Sequence, residues 1–108
     1  MIEFLSFNEQ QIKKAFNKEK KATIKSISKL NTPAIYAQSI RAYMRNDENK
    51  KRLFQIYAEF LDDLADGLVK KGYKISKPKT KVLDNYEEGF ISILPIIEIE
   101  KGEKLWIK

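Results

Sequence analysis

Neither cysteine nor histidine occurs among the 108 residues of this chain. Without thiols there is no disulfide framework. Without thiol and imidazole there is no cysteine nucleophile, no Ser-His-Asp relay and no ordinary zinc or haem ligand set. Glycine is scarce and scattered: Gly67, Gly72, Gly89 and Gly102 form no phosphate-cradling loop. The longest nearly apolar stretch, 90–97, is interrupted by Ser92 and Pro95 and falls far short of the roughly 20 residues of a membrane span. The amino terminus, MIEFLSFNEQ, lacks the basic start and apolar core of a secretion signal. These absences predict a cytoplasmic, non-enzymatic protein that holds no cofactor or metal and does not enter a membrane.

Arginine is nearly absent as well. The net charge of +6 rests on 18 lysines and only three arginines, Arg41, Arg45 and Arg52. Lysine is a strongly hydrated point charge, whereas arginine makes the bidentate contacts that read bases. Nucleic-acid binding by such a chain is expected to favour the phosphate backbone over sequence. The same lysine, isoleucine and asparagine richness is what an AT-rich genome produces.

The charge is also segregated. Residues 1–29 carry seven lysines against three acids, and residues 70–81 (KKGYKISKPKTK) carry six lysines and no acid. Residues 46–69 and 82–100 are net acidic. Within the first block, Lys14, Lys18, Lys21, Lys25 and Lys29 follow one another at spacings of 4, 3, 4 and 4, which stacks them on one ridge of a helix. Like charges at these spacings oppose the helix by a few tenths of a kcal/mol each, and only Glu19 stands where it could relieve them. The ridge, with Lys70, Lys71, Lys74, Lys77, Lys79 and Lys81, is the candidate phosphate-binding surface; a plain solvated face is the competing reading.

The longest buried helix is expected over 46–72, where Leu53, Phe54, Ile56, Tyr57, Phe60, Leu61, Leu64 and Leu68 share one side at 100° per residue. Asn46 or Asp47 caps its start and Gly72 its end. A first helix, from Asn8 to about Lys29, opens with Asn8 and Gln11 in a capping-box spacing and with Phe7 and Ile12 as a hydrophobic staple. Thr32-Pro33 reads as a helix start, so a further helix is expected over 33–45 with Tyr36, Ile40, Tyr43 and Met44 on one face. Residues 1–7 suggest a short edge strand, 73–76 alternates as a strand, and 77–89 reads as the longest loop.

The carboxyl end reads as a long strand from Phe90 and a hairpin about Lys101-Gly102. A three-residue loop there keeps Ile97 and Ile99 on one face with Leu105 and Ile107 and sets Glu100 across from Lys104. Pro95 cannot donate to a ladder and is expected at an edge or bulge. The fold class predicted is therefore α+β in a single domain. Three N-terminal helices (1–71 mainly helical) pack with a small C-terminal antiparallel sheet (72–108 mainly β).

Asp62, Asp63 and Asp66 form a D-D-x-x-D group that on a helix could meet a divalent cation. They fall on the polar side of the central helix, where a solvated acidic face is the expected meaning. The strand from Phe90 has more apolar residues than one face can bury, so Ile96, together with Trp106, is the candidate contact for a protein partner or a second copy. Two functional readings follow. One is an accessory protein that grips nucleic-acid phosphates through its lysines. The other is a small adaptor or inhibitor, of phage or mobile-element origin, acting through its terminal hairpin.

Overall fold

The computed structural model describes residues 1–102. In chain order they form β1 (Ile2–Phe4), α1 (Glu9–Ile27), β2 (Ala34–Ala37), β3 (Ile40–Tyr43), α2 (Asp47–Lys70), β4 (Tyr73–Ile75), β5 (Lys79–Asn85) and β6 (Phe90–Lys101). The described residues thus contain two helices and a six-stranded mixed sheet, which corrects the expectation of three helices and a small C-terminal hairpin. The class, helices on one face of a mostly antiparallel sheet, remains α+β.

The segment expected as a helix over 33–45 is instead β2 and β3. Tyr36, Ile40 and Met44 are buried, and their spacing of four satisfies both a helical face and every second position of a strand. Ala42, fully buried between Ile40 and Met44, settles the period as two. Its small side chain carries little hydrophobic signal, and Tyr43 points the other way.

The second correction is β5, which occupies most of the stretch expected as loop. Six of its seven residues are exposed. It has no apolar alternation because it is an edge strand, paired with β6 alone and exposed over nearly all its length. Its strand character comes from pairing with β6 along its whole length, from Lys79 opposite Ile96 to Asn85 opposite Phe90. The turn between them closes on Gly89, whose φ of +78° suits glycine and whose N–H donates to the Asn85 carbonyl at 2.9 Å.

Strand β6 is the axis of the sheet. On one side it pairs with β2 and β3 in a single continuous register, Ala37 opposite Ile96 and Ile40 opposite Ile93. On the other side it pairs with β4 and β5. Pro95 therefore lies in a central strand and not at an edge, contrary to expectation. The neighbour accommodates it: the break between β2 and β3, at Gln38 and Ser39, falls opposite Pro95 and Leu94. Strand β1 pairs in parallel with β3 and closes the far edge.

Both helices lie on one face. Ile91, Ile93, Pro95, Ile97 and Ile99 of β6 point into the core with Tyr36, Ile40 and Ala42. Phe16 of α1 stacks on Phe60 of α2, 4.7 Å between centroids, and meets Phe4 of β1 edge-on. The expected N-caps and glycine stop of α1 and α2 are present. Asn8 and Asn46 accept from the N–H groups of Gln11 and Asn49, and Gly72 ends α2 with a φ of +93°. Arg52 of α2 reaches Glu9 of α1 at 2.7 and 2.9 Å; its guanidinium, with the Lys13 ammonium, holds the Glu9 carboxyl down to about 2.

A second clasp seats β5 on α2. Lys50 is 8% exposed, and its ammonium lies 3.1 Å from both carboxylate oxygens of Asp84 and 5.2 Å from the Tyr86 ring centroid. Tyr57 and Thr80 hydrogen-bond at 2.7 Å along the same seam, where burial pushes the Tyr57 phenol up. Removing the two members of the ion pair should not cost the same. Asp84→Ala leaves a buried ammonium without its carboxylate and is expected to lower stability by about 1–3 kcal/mol. Lys50→Met keeps the volume, leaves a carboxylate that water can reach, and should cost less than about 1 kcal/mol. Urea unfolding of the two variants decides it; the reverse order would mean that the pair does not fasten β5.

Candidate nucleic-acid interface

Lysines 14, 18, 21 and 25 all lie on α1 and are exposed. Projected at about 100° per residue they occupy a sector of about 60° opposite the buried Ile12, Phe16 and Thr23, over a length of about 16 Å. Lys29, expected as the fifth member, follows the helix end at Ile27, in the turn where Ser28 caps the last carbonyls. The ridge is thus four residues on the helix with a fifth just beyond it.

The residue expected to relieve the ridge does not do so. Glu19 is turned toward the sheet, and one of its oxygens accepts from Tyr36 Oη at 2.8 Å, from Gln38 at 3.3 Å and from Thr23 at 3.4 Å. Burial and this carboxylate push the Tyr36 phenol far up, so it stays a donor. The ion pairs among the described residues use other cations: Lys13 and Arg52 with Glu9, Lys50 with Asp84, Lys70 with Asp66. None of the outward lysines of α1 takes part in an ion pair among the described residues.

The second lysine cluster is not brought alongside the first. Lys70 ends α2 and pairs with Asp66 at 2.9 Å, which raises its pKa, and Lys71 is the helix C-cap. Lys74 lies on β4 opposite Glu100; Lys79 and Lys81 lie on β5 opposite Ile96 and Leu94, on the sheet face turned away from the helices. Lys77 is in the connection between β4 and β5. Between the two clusters, on the helix side, α2 exposes Glu48, Glu59, Asp62, Asp63 and Asp66. The molecule is therefore divided into a basic α1 flank, an acidic α2 surface and a basic β4–β5 edge.

Asp62, Asp63 and Asp66 are exposed, and among the described residues no three metal-ligating side chains converge. Among those residues no helix is long and apolar enough to cross a membrane.

The outer face of the sheet carries Ile96. It is half-buried, flanked in register by Ala37 and Lys79; Leu94 is on the same face, as are the exposed Ile35, opposite Glu98, and Leu83, opposite Ser92. Trp106, the return strand of the hairpin and the pairing of Glu100 with Lys104 lie outside the described residues.

Sequence reasoning missed Arg41. It lies on the outer face, its guanidinium carbon 4.3 Å from the centre of the Phe90 ring, with Phe90 itself edge-on to Tyr43 at 5.8 Å. Its Nε is buried and has no hydrogen-bond partner among the described residues. The available signal was the period of two across 40–44, which puts Arg41 and Tyr43 on one face. Compared with known proteins, the chain matches no family model, and no curated protein or solved structure shows a significant similarity to it.

Proposed function

We propose that this chain is a non-enzymatic nucleic-acid-binding protein that contacts the phosphate backbone through the outward lysines of α1, with little regard for sequence. One observation carries the reading: Lys14, Lys18, Lys21 and Lys25 line the solvent side of the helix, and Glu19, the carboxylate within their run, is spent on Tyr36, Thr23 and Gln38. A ridge that repels itself and has no internal partner gains most from an external polyanion. The acidic surface of α2 beside it limits the approach to the α1 flank, so the grip is short. Affinity for duplex should fall with salt at a slope set by about four released counterions, near −3.6 on logarithmic axes, and depend little on base sequence. A mobility-shift series across salt concentrations tests this. Absence of binding at low salt, or binding that ignores salt, removes the proposal.

A second reading, association with a protein partner or a second copy through the outer sheet face, is favoured by the apolar group of Ile35, Leu83, Leu94 and Ile96. Under it, Ile96→Lys abolishes association in sedimentation. Under the first reading the same substitution leaves duplex affinity unchanged or slightly raised.

A further inference from the structure

The outer face of the sheet has two unlike ends. Glu98 and Glu100 stand toward one end of β6. Toward the other, Tyr43 is opposite Phe90 and Arg41 is opposite Ser92, all turned away from the core. Arg41 sits over Phe90, its guanidinium carbon 4.3 Å from the ring centre, and it is half-buried; among the described residues it forms no ion pair and its buried Nε has no hydrogen-bond partner. Glu3 is its neighbour in register on β1 but forms no ion pair with it, and Asp84 is on the opposite face with Lys50. An arginine plane held by an aromatic ring beneath it, short of acceptors, is a stacking platform for a planar, acceptor-rich group.

The charges beyond it say what that group belongs to. Lys81 and Lys79 follow on the same face of β5, opposite Leu94 and Ile96. They are one and two steps of about 7 Å down the strands from the Arg41 row. We propose that this end of the outer face binds single-stranded nucleic acid, one base stacking on the Arg41 guanidinium and the backbone passing along Lys81 and Lys79. An open sheet stacks bases only when they are free of a duplex, so this surface selects single strands where the α1 ridge does not. The inference rests on the nucleic-acid reading above and adds a second surface, on the opposite side of the sheet from α1.

The test is fluorescence anisotropy with a labelled oligothymidylate and a labelled duplex of equal length at fixed salt. Arg41→Lys keeps the charge and loses the plane; Ser92→Glu sets a carboxylate beside the platform. Each should lower single-strand affinity about tenfold and leave duplex affinity unchanged. Neither should unfold the domain, since among the described residues Arg41 gives up its contact with the Phe90 ring and no hydrogen bond. The charge-neutralised α1 variant (Lys18, Lys21 and Lys25 to Gln) should weaken duplex binding instead. Single-strand affinity unchanged in both face variants overturns the inference, as does an equal loss for both probes. A changed sedimentation coefficient of free Ser92→Glu also overturns it, because a second copy then covers the face. If the α1 variant loses duplex binding while Arg41→Lys is silent, the α1 reading survives alone. If the unmodified protein binds neither probe, both fall.

Discussion

Replacing Lys18, Lys21 and Lys25 together by glutamine is expected to weaken duplex binding by roughly two to three orders of magnitude at about 0.1 M salt. Each neutralised phosphate contributes about 0.9 of a decade per decade of salt, so three lost contacts remove about 2.7 decades and flatten the salt slope by the same number. The loss should be uniform across base sequences, because lysine ammonium groups on a helix flank read charge alone. Stability should move the other way. The three residues repel one another and Lys14 at helical spacings of three and four, so neutralising them should stabilise α1 by a few tenths of a kcal/mol for each relieved pair. A variant that melts slightly higher yet binds far more weakly cannot be explained by unfolding. Unchanged affinity in a mobility shift, with the salt slope intact, would show that the ridge is only a solvated face.

The elements that could be read from sequence are those whose signals are local. Asn8 with Gln11 and Asn46 with Asn49 cap their helices through contacts three residues apart, and Gly72 supplies a left-handed stop at the end of α2. The apolar side of α2 and the alternation of β6 each persist long enough to fix a period. The misread elements depend on partners. At 33–45, Tyr36, Ile40 and Met44 are spaced by four, a multiple of the strand period that also matches a helical turn, and Thr32-Pro33 imitates a helix start. What makes the segment β is the long strand β6, more than fifty residues later, offering it an edge. The same strand makes β5 out of KTKVLDN, whose charge and flanking Pro78 read as loop when taken alone.

The candidate site was legible in part for a related reason. Spacing on one helix places Lys14, Lys18, Lys21 and Lys25 together without any knowledge of the fold. Counting lysines along 70–81 could not show that α2's acidic surface lies between that segment and α1, nor that Lys79 and Lys81 point to the opposite face of the sheet. Glu19 looked like a counter-charge because it sits within the run; its actual partners, Tyr36 and Gln38, are 17 and 19 residues away. Arg41 was hidden inside a segment assigned the wrong period, which put Tyr43 with the core and left the outer face of the sheet without its two most distinctive residues.

The largest effect on stability is expected at Phe16. Its ring is 2% exposed and lies where three elements meet: nearly parallel to Phe60 of α2, with 17° between planes, and edge-on to Phe4 of β1 at 5.8 Å. A buried Phe→Ala change costs about 3–5 kcal/mol through lost burial and the cavity left behind. The two ring contacts fall within the geometry that contributes about 0.5–1.5 kcal/mol per aromatic pair beyond area, which favours the upper part of that range. A domain of this size has about 5–15 kcal/mol in total, so Phe16→Ala should lose a third or more of it. The loss should be felt first at β1, a strand of only three residues that relies on Phe4 packing and on pairing with β3. Phe16→Leu, which refills most of the volume, should recover more than half of the deficit. Phe54→Ala is the control: that ring is half-buried and touches Tyr57 edge-on at 6.5 Å, so its removal should cost distinctly less. Urea unfolding of the three variants gives the order, and hydrogen exchange at Ile2–Phe4 reports the local effect. A deficit for Phe16→Ala no larger than that for Phe54→Ala would mean that α1 does not close the core between β1 and α2.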